Sequence, residues 1–443
     1  MIKNYFKTAF RNLKRNKSYA VINTLGLAVG VAACLLIFLV VQYESSFDNF
    51  HSKGNNICRV NSEFHNQDGV RYSEGSAFPV APALKLDFPE IKEAARIFKQ
   101  TGQISILDSN ILSKKFNEDN FFYAEPEFFS MFSFEWLSGD AKNSLSDPNS
   151  AVLTQATAEK FFGNWKSAIG KTIKYANKDL YTVTGIIKNI PSNSDFPLSV
   201  VVPFSALQYT DIKNQLGDWV STFSDAETYV VLPSSLPVNT FNARLKNFAQ
   251  KHKPADYAKD FYVAQPLSEI HYDERFGNFS HNTFSHNLIN VLSLIGLFLI
   301  IIACVNFINL ATAQAVNRSK EVGVRKVLGS SRKQLAFQFL GETAVIVMIA
   351  VTVAIILATL VLPFLNTLLE TKISANFISN PSVILFIVLV SVSVTVLAGT
   401  YPAIILSGFN PVTALKSRIT SKMVGGISLR RGLVVIQFAI AHI

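Results

Sequence analysis

Four long apolar runs divide this chain, and a mixed segment of 242 residues separates the first run from the second. A helix needs about 20 consecutive apolar residues to cross a bilayer. The four runs meet that length and are predicted to be transmembrane helices; they lie at residues 18–43, 286–317, 335–369 and 383–407. Another apolar run starts at residue 432 and continues to residue 443, so we predict the start of a further span there and expect the parent protein to continue.

The mixed segment, residues 44–285, shows two different polarity patterns. Runs with a period of two predict strands at 56–64 and 171–187, and the second run contains a hairpin turn at residues 176–179. Helical periodicity with start and stop signals predicts three helices, at residues 82–98, 155–162 and 239–252. A segment of this length can bury its own core. It is therefore predicted to be an α+β domain.

Charge is distributed unevenly along the chain. Residues 44–285 carry a net charge of −5, whereas the remainder carries +15, and the total is +10. Basic residues beside transmembrane helices tend to stay in the cytoplasm. We therefore predict three cytoplasmic parts: an interfacial helix at residues 1–17, a basic loop at 318–334 and a linker at 408–431. The α+β domain and the short loop 370–382 then lie outside the cytoplasm.

The same distribution indicates the binding partners and the fold class. The positive charge lies beside apolar spans, where it attracts anionic lipid headgroups. Membrane lipids, and no nucleic acid, are therefore the predicted partners. The predicted fold is a multi-pass α-helical membrane protein, with four spans plus the start of a fifth, and a large extracytoplasmic α+β domain inserted between spans 1 and 2.

The most strongly charged stretch is residues 318–333, RSKEVGVRKVLGSSRK, called the basic segment below. It holds six Lys or Arg residues and one Glu between two apolar runs. Its interior predicts a small helix, which Gly329 can end in a left-handed conformation, and Ser330 or Ser331 can cap the next helix. The apolar edge of the small helix consists of Val322, Val324, Val327 and Leu328.

Charged side chains in the basic segment predict a docking surface. Glu321 and Arg325 form an i,i+4 pair on one helix face, and Lys326 projects about 100° round from Arg325. A structured, charged helix between two spans is more than a tether requires, so we interpret it as a docking surface for a cytoplasmic partner. The alternative is that these basic residues only fix the topology.

Three polar residues of the predicted spans are candidates for a role within the membrane. Glu342 is about two turns into the third span, where an acid often reaches the interface or forms a pair. Asn306 and Asn309 lie in the second span, and we expect both to form interhelical hydrogen bonds. All three are predicted to be structural.

Motifs for catalysis or cofactor binding are weak. Residues 163–172, GNWKSAIGKT, end like a phosphate-binding loop, but G-x-x-x-x-G-K-T needs Gly at position 165, where this chain has Trp165. The seven His and three Cys residues show no spacing that is typical of a metal site. We therefore predict no catalytic residue, cofactor or metal in this chain.

Motifs along the whole length carry a resemblance to a known family. They are FRNLKRNKSYAVINTLGLAVG, FDNFHSKGNNICRV, FFGNWKSAIGKTI, YTVTGII with PSNSDF beyond it, LSEIHYD, NFINLATA, RSKEVGVRKVLGSSRKQL, GET, and GTYPA with NPVTALK. With these motifs the chain resembles the permease subunit of the MacB/FtsX family of ABC transporters.

The resemblance implies a separate ATPase subunit that binds ATP-Mg, and a location in the bacterial cytoplasmic (inner) membrane. It implies that the basic segment couples to this ATPase; the residues concerned are Arg318, Glu321, Arg325, Lys326 and Gly329. ATP-driven motion would then reach the extracytoplasmic domain through the spans. A second permease unit, in tandem or as a dimer, and a periplasmic adaptor or outer-membrane factor are further expected partners.

The resemblance leaves the biological task open. Members of the family export peptides or antibiotics, extract lipoproteins or activate cell-wall hydrolases, and nothing in the sequence selects among these. The chain is thus expected to export or extract a peptide, antibiotic, lipid or lipoprotein. The alternatives are a non-transporting regulator of a cell-envelope partner, and a membrane sensor.

Overall fold

The computed structural model describes residues 17–108, 111–374, 376–377 and 379–408, together with residues 11, 432 and 435. The predicted interfacial helix, the linker 408–431 and the start of a further span lie almost entirely outside these residues. The chain divides into two compact units. One is the α+β unit, Glu44–His286, and the other is the helical unit, made of Met1–Tyr43 and Asn287–Ile443.

The described α-helices are α1 (Lys17–Glu44), α2 (Val80–Asp87), α3 (Pro126–Met131), α4 (Gln155–Phe162), α5 (Val238–His252), α6 (Leu267–Ile270), α7 (His286–Val327), α8 (Arg332–Leu368) and α9 (Pro381–Gly408). The described strands are β1 (Ile57–Asn66), β2 (Gly69–Ser73), β3 (Ala94–Asp108), β4 (Ile111–Ala124), β5 (Trp136–Ser138), β6 (Ser150–Thr154), β7 (Thr172–Tyr175), β8 (Asp179–Ile187), β9 (Val200–Pro203), β10 (Ala226–Val231) and β11 (Phe261–Pro266).

In the α+β unit, the strands form one sheet in the order β11-β1-β10-β3-β4-β9-β6-β8-β5, while β2 pairs with β1, and β7 pairs with β3 and β8. Most pairs are antiparallel, but β4 with β9 and β6 with β8 are parallel. Successive side chains of a strand face opposite sides of a sheet. Accordingly, Ile57 of β1 enters one core cluster with Phe128, and Cys58 enters another with Leu84 and Phe241. The prediction of a large α+β domain is confirmed.

Local predictions in this unit are confirmed at four places and wrong at one. The strand predicted at 56–64 is β1 (Ile57–Asn66). Helices α4 and α5 and the hairpin of β7 and β8 match the predictions, and Ala176 and Asn177 take positive φ angles in the turn, as a tight hairpin turn requires. The helix predicted at 82–98 is wrong, because α2 ends at Asp87 and β3 begins at Ala94. Pro89 disfavours a helical conformation at Phe88, and residues 94–98 pair with β10 as part of β3.

The helical unit contains four helices, α1, α7, α8 and α9, that are long and apolar enough to cross a membrane, judged by length and composition over the described residues. Their shared core is rich in alanine and valine. A Cβ atom placed on Gly30 of α1 would lie 2.8 Å from the Cβ of Ala303 of α7. The two helices therefore approach closely at Gly30, and small residues make such close packing possible.

Candidate functional site

The basic segment is the candidate site, and its first ten residues continue the long apolar helix α7. Helix α7 runs without a break from His286 to Val327, so the separate small helix predicted within residues 318–334 is wrong. The helical pattern of the apolar run simply continues into the charged residues. The side chains of the segment therefore have fixed positions relative to α7, which a loop would not provide.

The turn after α7 is defined by backbone geometry and capping. Gly329 has a φ of +97°, and the N–H of Ser330 donates to the carbonyl of Arg325 at 3.0 Å. The left-handed helix end predicted at Gly329 is confirmed. Of the two candidate caps it is Ser331 that caps α8, and it forms a reciprocal capping box with Gln334. Both helix ends at the turn are thus satisfied by local bonds.

A chain of polar contacts joins the end of α7 to the start of α8. Arg325 Nη2 donates to Glu321 Oε1 at 2.7 Å, and its Nη1 donates to Gln338 Oε1 at 2.9 Å. Gln338 Nε2 donates to Glu342 Oε1 at 3.2 Å, and Arg318 Nη1 donates to Glu342 Oε2 at 2.6 Å. These five residues, called the brace below, connect both helices. The predicted i,i+4 contact of Glu321 with Arg325 is confirmed.

Glu342 and Arg318 are the most enclosed charged pair of the brace. Their side chains retain only 11% and 13% of their exposure. The acid within the predicted third span therefore pairs with a base from α7. Gln338 was not predicted to belong to the site, although its position four residues before Glu342 on α8 is a signal for an intrahelical contact.

The two asparagines of α7 differ in their surroundings. Asn306 lies on an exposed part of the helix. Asn309 is half-buried, and its Oδ1 atom is buried without a hydrogen-bond partner in the described part of the chain. The interhelical hydrogen bond expected for Asn309 is therefore not made through its amide oxygen.

The predicted apolar edge of the segment is divided between two faces. Val322 is buried in a cluster with Leu335, Phe339, Ala403 and Leu406. Val324, Val327 and Leu328 instead form an exposed tip, in which Leu328 retains 80% of its exposure and Val327 65%. Helical geometry explains the division, because residues 324, 327 and 328 share one face that residue 322 does not.

Basic residues flank this tip in the sequence. Arg332 and Lys333 are exposed at the start of α8, and Lys326 is partly exposed. Partial burial and the positive charge of Arg332 lower the pKa of Lys326 from its usual range. The site thus combines a small exposed apolar surface, a rim of positive charge and a rigid support. It can bind a partner with an apolar pocket and acidic surroundings.

Two family descriptions match most of the chain. The "MacB-like periplasmic core domain" matches residues 20–248, which is more than half of the chain. The "FtsX-like permease C-terminal" description matches residues 293–411, which include the basic segment.

The chain is also similar to curated proteins that are described as permeases or as ATP-binding/permease proteins. A "Macrolide export ATP-binding/permease protein MacB" from Bdellovibrio bacteriovorus is 25% identical over 92% of this chain and 60% of the relative. The protein of that name from Haemophilus ducreyi is 24% identical over 93% of this chain and 55% of the relative. An uncharacterized ABC transporter permease, YvrN, from Bacillus subtilis is 21% identical over 93% of this chain and 99% of the relative.

The chain spans 60% and 55% of the length of the two MacB proteins named above. Its two matched regions are the MacB-like core domain and the FtsX-like permease region, and its four apolar helices fit a membrane protein of the bacterial inner membrane. On these matches the chain belongs to the MacB/FtsX family of ABC transporter permeases.

Proposed function

We propose that this chain is a permease subunit that transmits ATP-driven motion of a separate ABC ATPase to an extracytoplasmic α+β domain. The transmitted motion serves to export or extract a substrate such as a peptide, antibiotic, lipid or lipoprotein. Four spanning helices, with the α+β domain between the first and second, provide the path. The relatives named for macrolide export support the export class.

The observation that carries this proposal is the exposed apolar tip of the basic segment. An apolar side chain that is exposed in a rigid, polar setting favours contact with a partner protein. The basic rim supports a cytoplasmic position of the tip through the positive-inside tendency, and the cytoplasm is the side on which an ATPase would meet the membrane subunit. An apolar anchor with a charged rim is the usual arrangement of an interface, because the apolar centre supplies binding energy and the charges supply specificity.

Transmission also needs a stiff connection behind the docking surface. The brace joins α7 to α8 through Arg325, Gln338, Glu342 and Arg318. A push on the tip would therefore move both helices together, since their relative rotation would break buried polar contacts. Packed elements with two discrete arrangements are the physical basis of such long-range coupling.

A labelling experiment tests the proposed topology. Asn177→Cys, in the turn between β7 and β8, should react with a membrane-impermeant thiol reagent in intact cells. Ser330→Cys should react only after lysis. The native Cys34, Cys58 and Cys304 are buried, and Cys58→Ala serves as the background. Labelling of both positions in intact cells, or of neither position even after lysis, would contradict the proposed arrangement.

Co-purification tests the function itself. The tagged full chain, co-expressed with ABC ATPases from the same genome, is expected to retain one of them and to change its rate of ATP hydrolysis. An ATPase variant without its P-loop lysine should still bind the chain but should not hydrolyse ATP. Failure of every ATPase to bind the well-folded chain would refute the proposal.

A further inference from the structure

The last residue of α1 lies in a buried polar cluster of the α+β unit. The Glu44 carboxylate accepts a hydrogen bond from His271 Nε2 at 2.7 Å. His271 Nδ1 lies 3.4 Å from Asp195 Oδ1 on its other side. Glu44, His271 and Asp195 retain 1%, 2% and 4% of their exposure. These three residues, called the clamp below, come from the end of α1, the segment after α6 and the connection between β8 and β9.

Neighbouring groups hold each member of the clamp. The ring of Phe47 stacks on His271 with 3.4 Å between centroids, and Tyr272 Oη donates to the backbone carbonyl of Glu44 at 3.0 Å. Asn278 Nδ2 and Ser280 Oγ both donate to Asp195 Oδ1 at 2.9 Å. The clamp is therefore fixed from several directions.

The clamp also unites motifs that are far apart in the sequence. The residues after Glu44 belong to FDNFH, Asp195 belongs to PSNSDF and His271 belongs to LSEIHYD. The first two motifs meet directly, because the backbone N–H of Asp195 donates to Asp48 Oδ2 at 3.0 Å. Neither the brace nor the tip uses any of these residues.

An acid at this position opposes local helix preferences. The C-terminal end of a helix carries partial negative charge, so a carboxylate there is unfavourable. Places where a chain breaks a local rule and compensates by tertiary contacts are often functional. Two contacts compensate here. The ring of His271 donates to the Glu44 carboxylate, and the Tyr272 hydroxyl donates to the backbone carbonyl of Glu44, which would otherwise lack a partner at the helix end.

The charge state of His271 makes the contact strong. Burial by itself would lower the pKa of His271, but hydrogen bonds to Asp195 and Glu44 outweigh burial and raise this pKa to about 9. In its protonated form the ring donates from both nitrogens, to Glu44 Oε2 and to Asp195 Oδ1. Removing one partner of a buried ion pair costs far more than breaking an exposed contact, so the end of α1 does not fray as helix ends usually do.

We propose that Glu44, His271 and Asp195 are positioning residues that hold the end of α1 within the α+β unit, so that displacement of this helix is delivered to the domain. This inference rests on the proposed transmission function. Without the clamp, the last residue of α1 would lose its side-chain anchor, and the unit would hold the chain only from Ser46 onward, where Asn193 Nδ2 donates to the carbonyl of Ser46 at 3.1 Å. With it, the helix end and the two loops that carry Asp195 and His271 move as one body.

The test uses the full chain in complex with its ATPase. Hydrogen–deuterium exchange of peptides from the α+β unit is compared between the nucleotide-free state and a vanadate-trapped ATP state. The variants are Glu44→Gln, which removes the charge but keeps the size, and Tyr272→Phe, which removes one hydrogen bond to the same helix end. Tyr272→Phe is the milder change and serves if Glu44→Gln fails to fold.

Glu227→Gln is the matched control. Glu227 forms a 2.7 Å ion pair with Arg59, and both side chains are fully buried in the same unit. Glu227 lies on β10, which is remote in sequence from α1. We expect Glu44→Gln to assemble and to reduce the ATP-dependent difference in exchange about fivefold or more, with a smaller reduction for Tyr272→Phe. Glu227→Gln should raise exchange in both states and preserve the difference.

Two outcomes distinguish failure of the clamp from failure of the transmission function on which it rests. If Glu44→Gln and Tyr272→Phe raise exchange equally in both states and keep the ATP-dependent difference, the clamp only stabilises the fold and the inference is overturned. If the wild-type complex hydrolyses ATP but shows no ATP-dependent difference, the proposed transmission fails together with the clamp.

Discussion

Leu328→Asp is expected to abolish co-purification of the ATPase and permease-dependent ATP hydrolysis. Burying a leucine side chain contributes about 1.5–3 kcal/mol, and placing a carboxylate in an apolar pocket adds a desolvation cost. Together these effects predict a loss of affinity of at least about 100-fold, since each 1.4 kcal/mol changes affinity tenfold. The fold should tolerate the change, because Leu328 is 80% exposed. Affinity capture and ATPase assays on purified membranes provide the measurement.

Leu86→Asp is a closely matched control for this experiment. Leu86 of α2 is also 80% exposed, so the substitution has the same chemistry and a similar cost in the isolated chain. It belongs to the α+β unit rather than to the basic segment and should leave ATPase binding unchanged. Equal binding by wild type, Leu86→Asp and Leu328→Asp would mean that the tip is not the docking surface.

Leu328 is a better probe of docking than Arg325. Arg325 bears charge near the tip, but it also donates to Glu321 and Gln338 in the brace. Arg325→Glu would therefore place like charge against Glu321 and also remove the Arg325–Gln338 contact, one of the two polar contacts in the brace that join α7 to α8. Loss of coupling in that variant would report damage to the brace as well as to the partner contact.

Arg318→Ala is expected to lower the free energy of unfolding of the full chain by about 3–5 kcal/mol, because it leaves the Glu342 carboxylate buried without its partner. Arg318 and Glu342 are joined at 2.6 Å, and both side chains are nearly enclosed. Unfolding of the purified chain in a mixed-detergent titration with a denaturing surfactant, followed by circular dichroism, measures the loss.

Two further variants separate charge burial from packing. The double variant Arg318→Met with Glu342→Met should recover most of the loss, since replacing a buried ion pair by apolar residues of similar volume is often neutral or stabilising. Glu321→Gln removes a partner from the more exposed pair with Arg325 and should cost only about 0.2–0.5 kcal/mol. An Arg318→Ala variant as stable as Glu321→Gln would show that the Arg318–Glu342 pair does not stabilise the helical unit.

The sequence by itself determined the features that depend on neighbouring residues. Length and apolar composition located the four long helices, because a helix satisfies its own backbone hydrogen bonds and needs only a continuous apolar run. The left-handed end at Gly329 and the turn at Ala176 and Asn177 were also predictable, since positive φ angles favour a few residue types in local contexts.

The tertiary structure decided features that depend on distant residues. The sequence pattern of residues 94–98 permits a helix, and pairing with β10 makes it a strand. The sequence pattern predicts one apolar edge that contains both Val322 and Val324. Only the packing of α8 and α9 buries Val322, whereas Val324 stays exposed.

The brace and the clamp belong to this second group. Gln338 joins the brace through a contact that bridges two helices. Glu44, Asp195 and His271 meet across more than 220 residues of sequence. Local propensity does not predict such partners, because burial and charge pairing depend on contacts that form only when the whole chain folds.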